Sequence, residues 1–393
     1  MQPTNSVKAA TVNELEQLSF LISHHLAEGN TVALWRAPNS NEKQLLICTT
    51  GVKEIDDLQV EETETGFVFA PFDTARKKTF FKGDLVYSFK EGELIDGTVT
   101  DISGENGLHV GMDMLPRKRE SAPIDHDPTS GNHYKDLVQK SISHIKAGTT
   151  DKIVPTRFKE IELNEDFDCV AVFQKLCAAY PAAFVSFVSS EETGTWIGAT
   201  PELLVSLDAK EHFKTVALAG TKRWRSGMNI KSVAWTEKEI EEQALVCRYI
   251  ISCFKKIRLR EYEERGPRTV TAGNVVHLKT EFEVDTVATN FPLLTSVMLK
   301  LLHPTSAVCG MPLENAQQFL KANEGYDREY YTGFLGPVNV KNESHLFVNL
   351  RCMQVLTKSA LLYAGAGVTI DSDPQKEFEE TELKMEAILN IIK

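Results

Sequence analysis

The chain has no apolar run of membrane-spanning length, no pair of cysteines in C-x-x-C spacing, and too few positive residues to balance its acids. Lys and Arg number 43 against 55 Asp and Glu, a net charge of −12. Bulk electrostatic attraction to nucleic acid or to an anionic membrane is therefore not expected. Seven cysteines, an odd number, argue against a disulfide framework or a structural zinc site. Cys247, Cys253 and Cys352 stand in apolar runs and read as small core residues. The polar stretch 1–11 lacks the apolar centre of a secretory signal, so a reducing cytoplasm is the expected setting. Also missing are a P-loop, a G-x-G-x-x-G after a strand, a G-x-S-x-G and an H-E-x-x-H. An acidic protein without these motifs can still bind an anionic metabolite, but it then needs local Arg or Lys, or a bridging cation.

What is present is material for a globular core: 393 residues, 42% hydrophobic and 25% charged. Thr11 followed by Glu14 predicts a capping box and a helix carrying apolar residues from 15 to 26. Strands are expected at 31–35, 44–48 and 66–70, with more in that style over 82–102. The Pro-, Ser- and charge-rich stretch 114–132 reads as a long surface connection. A helix is expected at 133–147, then strands at 151–163, 183–189, 195–199, 203–207 and 213–219. A long helix over 236–256 places Ile240, Ala244, Cys247 and Ile251 on one face, away from Glu242. Residues 270–284 read as extended, 293–302 as helical, and a further helix begins after Pro312. Strands at 345–356 and 359–364 precede a terminal helix. Many antiparallel-looking strands with a few long helices give an α+β fold, expected as a single large domain of two sheets with outer helices.

Several residues in this frame can carry chemistry, each with a plainer reading beside it. Gly365 and Gly367 precede a helix on which Glu377, Glu380 and Lys384 fall close to one line. That arrangement can hold a hard cation and an anion together, or simply be a solvated face. Arg351 lies in an apolar strand between Phe347, Met353 and Val355, and must find either an anionic ligand or an internal acid. Lys152 opens a strand beside Val154 and Thr156, where shielding suits a general base; a lysine snorkelling at a strand end is the alternative. Glu202 leaves the tight turn 198–204, where desolvation can keep a carboxyl protonated, although Pro-Glu is also an ordinary turn pair. His303 follows an apolar helix and is read locally as a cap or a satisfied polar residue.

Taken in order, the motifs resemble a family. Lys152-Ile-Val-Pro-Thr-Arg157, Gly198-Ala-Thr-Pro-Glu-Leu-Leu204, Ala219-Gly-Thr221 and Glu237-Lys-Glu-Ile-Glu-Glu242 come first. Val276-His-Leu278, Leu302-His-Pro-Thr305, Asp327-Arg-Glu329 with Tyr331 and Gly333, Arg351, and Ala364-Gly-Ala-Gly367 with Glu377 to Lys384 follow. This series resembles the chorismate-binding enzymes, from about residue 133 to the end, with 1–132 matching loosely. The resemblance implies an active site between two large sheets, with Glu242 and Glu380 binding Mg²⁺ that holds the ring carboxylate of chorismate. It implies that Arg351 meets the enolpyruvyl carboxylate, helped by Gly365 and by Tyr331 or Lys384. Ala219, Gly220, Thr221, His303 and Ala364 complete the substrate contacts it implies.

Two positions choose among members. Lys152 corresponds to the lysine that water-using members employ as general base, where anthranilate-forming members carry glutamine. Ala219 stands where aminodeoxychorismate synthases carry a nucleophilic lysine. The resemblance thus implies water addition at C2 with loss of the C4 hydroxyl, Lys152 as base and Glu202 as acid, and isochorismate for menaquinone or siderophore synthesis. A salicylate synthase, which goes on to expel pyruvate, is the rival; a non-catalytic chorismate-binding protein is a third reading. No amidotransferase subunit is expected, and a monomer or weak oligomer is. One departure is Gln243, where the family usually has His after the first metal carboxylate. It is expected to keep a hydrogen bond to that carboxylate and tune metal affinity.

Overall fold

Strand Thr31–Arg36, Thr-Val-Ala-Leu-Trp-Arg, is buried along its whole length, which a strand achieves only when both faces are covered. Val32 and Leu34 point into one apolar cluster, Ala33 and Trp35 into another. The period-2 alternation of a strand is thereby read out as two different layers. The structure is a computed structural model and describes residues 13–97, 109–116, 131–224, 229–272 and 275–393. Thr11 and most of the connection expected at 114–132 lie outside these residues.

Two nine-stranded sheets dominate. The first runs Glu93–Asp96, Leu85–Lys90, Glu42–Cys48, Thr31–Arg36, Phe184–Ser190, Gly194–Thr200, Cys352–Val355, Ser359–Gly365, Thr156–Glu162. The second runs Glu263–Ala272, Val275–Asp285, His212–Arg223, Leu203–Leu207, Ser344–Val348, Phe334–Val338, Gly66–Ala70, Lys78–Lys82, Lys53–Ile55. Neighbouring strands pair antiparallel in both. Between the sheets lie Trp35, Phe67, Phe69, Phe184, Trp196 and Phe347, with Phe184 and Phe347 stacked at 4.2 Å across the interface. Outside the first sheet lie helices α1 (Glu14–Ala27), α3 (Cys169–Ala179) and α7 (Pro374–Ile392); α2 (Gly131–Lys146) packs on α7. Helices α4 (Glu237–Lys256) and α5 (Leu294–Leu302) cover the second sheet, and α6 (Leu313–Asn323) packs with α2. The α+β architecture of two antiparallel sheets with outer helices is thus as expected.

Details differ from the sequence reading. The first helix is capped by a reciprocal Asn13 and Glu16 pair. The expected 345–356 strand is two strands, one in each sheet, broken at 349–351, where Arg351 takes φ +48. The expected face shared by Phe347, Arg351 and Met353 therefore does not exist. Residues 263–272 form a charged strand hairpinned to Val275–Asp285, where only one extended stretch was expected. Helix α4 buries Gln243, Val246, Ile250 and Cys253, and leaves Ile240 54% exposed, so its inner face is rotated from the apolar stripe. Among the described residues no helix is long and apolar enough to cross a membrane.

Candidate active site

Two neighbouring crossings of the chain from one sheet to the other carry the first two site residues. Strand Gly194–Thr200 belongs to the first sheet and Leu203–Leu207 to the second, so Pro201 and Glu202 form one crossing. Asn349 to Arg351 form the return crossing. The two are sewn together: the Ala199 amide donates to the Arg351 carbonyl (3.0 Å), and the Val348 amide to the Glu202 carbonyl (3.0 Å). The Thr200 hydroxyl donates to the Val348 carbonyl at 2.6 Å.

A cavity of about 80 Å³, room for several waters, opens beside these crossings. Glu202, Arg351 and Tyr331 line it from the crossings and the 326–333 loop, and Glu242, from α4, and Glu380 and Lys384, from α7, line it from the helices. Ala219, Gly220, Thr221, Ala364 and Gly365 supply its backbone walls. An adjoining cavity of about 240 Å³ shares Pro201 and Arg351 with it. Sequence order over some 230 residues is thus converted into one site, with two exceptions. His303 faces away: its Nε2 lies 3.1 Å from the Pro71 carbonyl and its ring borders a different, outer cavity. Two residues further on, Thr305 does reach in, its hydroxyl donating to Glu202 Oε1 at 3.4 Å. Lys152 stands one layer behind the wall, its Nζ 2.9 Å from Glu242 Oε1.

Electrostatics differ sharply across the site. Glu202 is 6% exposed, and burial pushes its carboxyl up to about 7 against the opposing pull of Thr305, Lys152 and Lys384. Burial also acts to raise Glu242, but the Lys152 ammonium beside it, with Lys384 and Lys238, holds it at about 2. One carboxyl can therefore carry a proton at neutral pH while the other remains an anion. The shielding expected around Lys152 is present, with 1% side-chain exposure, yet its partner is a carboxylate rather than apolar surface alone. Lys384 donates to the Gly365 carbonyl (2.7 Å) and pairs with Glu380 (2.7 Å). The Arg351 guanidinium makes no hydrogen bond or ion pair with any described residue. An uncommitted guanidinium on a cavity wall is a site for an anion.

Three further residues matter. His277 lines the cavity although only its motif, and no role, was read from sequence. Its Nδ1 lies 2.7 Å from the Gly220 carbonyl, which accepts, so Nδ1 carries the hydrogen. Burial, with Arg351 nearby, lowers the ring to about 3, leaving a neutral imidazole whose Nε2 has no partner among the described residues. The tautomer depends on a carbonyl 57 residues away and has no local signal. Gln243 does not bond Glu242 as expected. Its Nε2 donates to the Ala217 carbonyl (3.2 Å) and Thr280 Oγ1 (3.0 Å), fixing α4 to the second sheet so that Glu242 turns inward. Gly367 is required by space: a Cβ there would stand 2.8 Å from Lys152 Cε and 2.9 Å from Glu242 Oε1. Neither Gly365 nor Gly367 has a positive φ.

Residues 95–393 match the family model for chorismate binding enzymes, and the chain belongs to that family. Among curated relatives, the vibriobactin-specific isochorismate synthase of Vibrio cholerae is 29% identical over 277 residues, 69% of each chain. Isochorismate synthase EntC of Escherichia coli is 27% identical over 263 residues, 66% of each chain, so the match spans about two thirds of that relative. In fold, the menaquinone-specific isochorismate synthase MenF of Escherichia coli superposes with a TM-score of 0.72 at 19% identity, covering all of this chain and 93% of that one.

Proposed function

We propose that the chain is an isochorismate synthase, converting chorismate to isochorismate by adding water at ring C2 as the C4 hydroxyl departs. The observation that carries this reading is the pairing, in one small cavity, of a carboxyl poised near neutrality with an uncommitted guanidinium. Family membership supplies the substrate class, and the relatives named above supply the reaction. Lysine at 152 and alanine at 219 favour water over ammonia as nucleophile, so no ammonia-supplying partner is required.

Glu242 and Glu380 fit a hard divalent cation. They are oxygen donors on two different helices facing one cavity, and Glu242 is held ionised at about 2. Mg²⁺ bound there would supply positive charge to fix the substrate's ring carboxylate. The protein's own groups do the rest. Arg351 binds the second carboxylate, and the bare His277 Nε2 accepts from a substrate hydroxyl. Lys152 takes a proton from water as its oxygen bonds to C2 and the ring double bonds shift. Glu202 gives its proton to the C4 oxygen, which leaves as water. Lys152 can act as base only when Glu242 is not holding its amine, so the two residues are coupled. The relatives divide between vibriobactin-specific and menaquinone-specific enzymes, leaving siderophore or menaquinone synthesis as the destination. Seven free thiols suit a reducing cytoplasm.

The test is an NMR time course of the purified chain with chorismate and Mg²⁺. Isochorismate as the sole product is expected, with Lys152→Ala inactive but folded. Salicylate with pyruvate would convert the assignment to a salicylate synthase, and absence of turnover would leave only a binding protein.

A further inference from the structure

Three carboxylates stand together on α4 and α7, and each already holds a lysine. Glu242 pairs with Lys152 at 2.9 Å, Glu380 with Lys384 at 2.7 Å, and Glu377 with Lys238 at 2.8 Å. Glu377, one turn before Glu380, is 2% exposed at its side chain. Burial raises its carboxyl, Lys238 opposes that, and Glu380 adds to it. Lys238 in turn is lowered by burial but raised on balance by Glu377, Glu380 and Glu242, so its ammonium feels all three acids. The six charges cancel.

A divalent cation entering such a cluster meets three ammonium groups in a medium that screens poorly, and repulsion offsets the attraction of the carboxylates. A dianionic substrate arriving with it restores neutrality. Lys384 lines the cavity, and Lys152, one layer behind its wall, is the base of the proposed reaction. Lys238 does not line the cavity, and its side chain is 44% exposed. Among the described residues its side chain donates to Glu377 alone.

We propose that Lys238 is an internal counter-ion that keeps the carboxylate cluster closed to a divalent cation until the dianionic substrate is present. This rests on the reading of Glu242 and Glu380 as cation ligands. Metal alone then binds weakly, and metal and substrate strengthen each other's binding reciprocally.

The test is calorimetric titration of the full chain with Mg²⁺ alone, without substrate. Lys238→Met and Lys238→Gln remove the charge at a partly exposed position and should bind Mg²⁺ about tenfold more tightly than the unchanged chain. Lys238→Arg keeps the charge and should not tighten. Unchanged or weaker affinity in both neutral variants overturns the proposal, as does equal tightening in the Arg variant. Glu380→Gln in the same titration separates the two levels. If it binds Mg²⁺ like the unchanged chain, the ligand assignment itself falls and the counter-ion role with it. If it loses binding while Lys238→Met stays unchanged, only the counter-ion role falls.

Discussion

Glu202 has two measurable consequences, one for rate and one for stability. As the proposed proton donor it works only when protonated, so turnover should fall as pH rises through about 7, read as the alkaline limb of a kcat–pH profile. Its carboxyl is raised from 4.5 on folding, so the folded state favours the proton more than the unfolded chain does. The stabilisation this linkage gives is complete below 4.5 and lost as pH climbs through 7. Glu202→Gln should therefore flatten the pH dependence of unfolding between pH 5 and 8, by roughly 3 kcal/mol across that range, measured by denaturant titration. Arg351→Ala should weaken substrate binding by about 3 kcal/mol, because the substrate carboxylate proposed to meet it loses a charged partner; an unaltered KM counts against it. These residues were legible from sequence only as members of an ordered series of motifs. Local pattern misplaced Arg351 on a strand face, since no window of sequence announces that the chain changes sheets there. His303 keeps to its local reading as a cap and a satisfied polar residue: it ends α5, and its ring meets the carbonyl of Pro71, 232 residues earlier.

At the scale of elements, helices were read more faithfully than strands. Helix α4 was found with its ends in place, helped by Glu239 accepting from the Thr236 amide, but its inner face was not. Gln243 is polar yet buried, its Nε2 donating to Ala217 and Thr280, and Ile240 is apolar yet exposed. Strand Glu263–Ala272 escaped notice because its sequence is charged. As an edge strand it meets its neighbour through ion pairs such as Arg268 with Glu281 and Arg265 with Glu283, and charged edges discourage further pairing. The turn after Ser359–Gly365 gives a sharper prediction. Gly367→Ala places a methyl against Lys152 and Glu242, so one of them must shift. Activity should drop by about tenfold or more while thermal stability changes by about 1–2 kcal/mol, checked by paired kinetics and melting. A melting loss with activity intact would deny the contact.

At the scale of the molecule, the N-terminal stretch is woven in rather than appended. Thr31–Arg36 lies between Glu42–Cys48 and Phe184–Ser190, and Gly66–Ala70 pairs with Phe334–Val338. Removing residues 1–97 should therefore leave a chain that does not fold cooperatively, seen as loss of a sharp thermal transition; a truncated chain melting like the parent would show the opposite. The sequence hinted at little of this, because pairing across hundreds of residues has no short-range signature. The stitch between the sheets has a consequence of its own. Glu202 and Arg351 are held to each other's strands through main-chain bonds that no side-chain substitution removes. Should one layer slide over the other, proton donor and anion receptor would travel as a single piece. Drift in the outer helices and at the sheet margins can then accumulate without altering the spacing between those two groups.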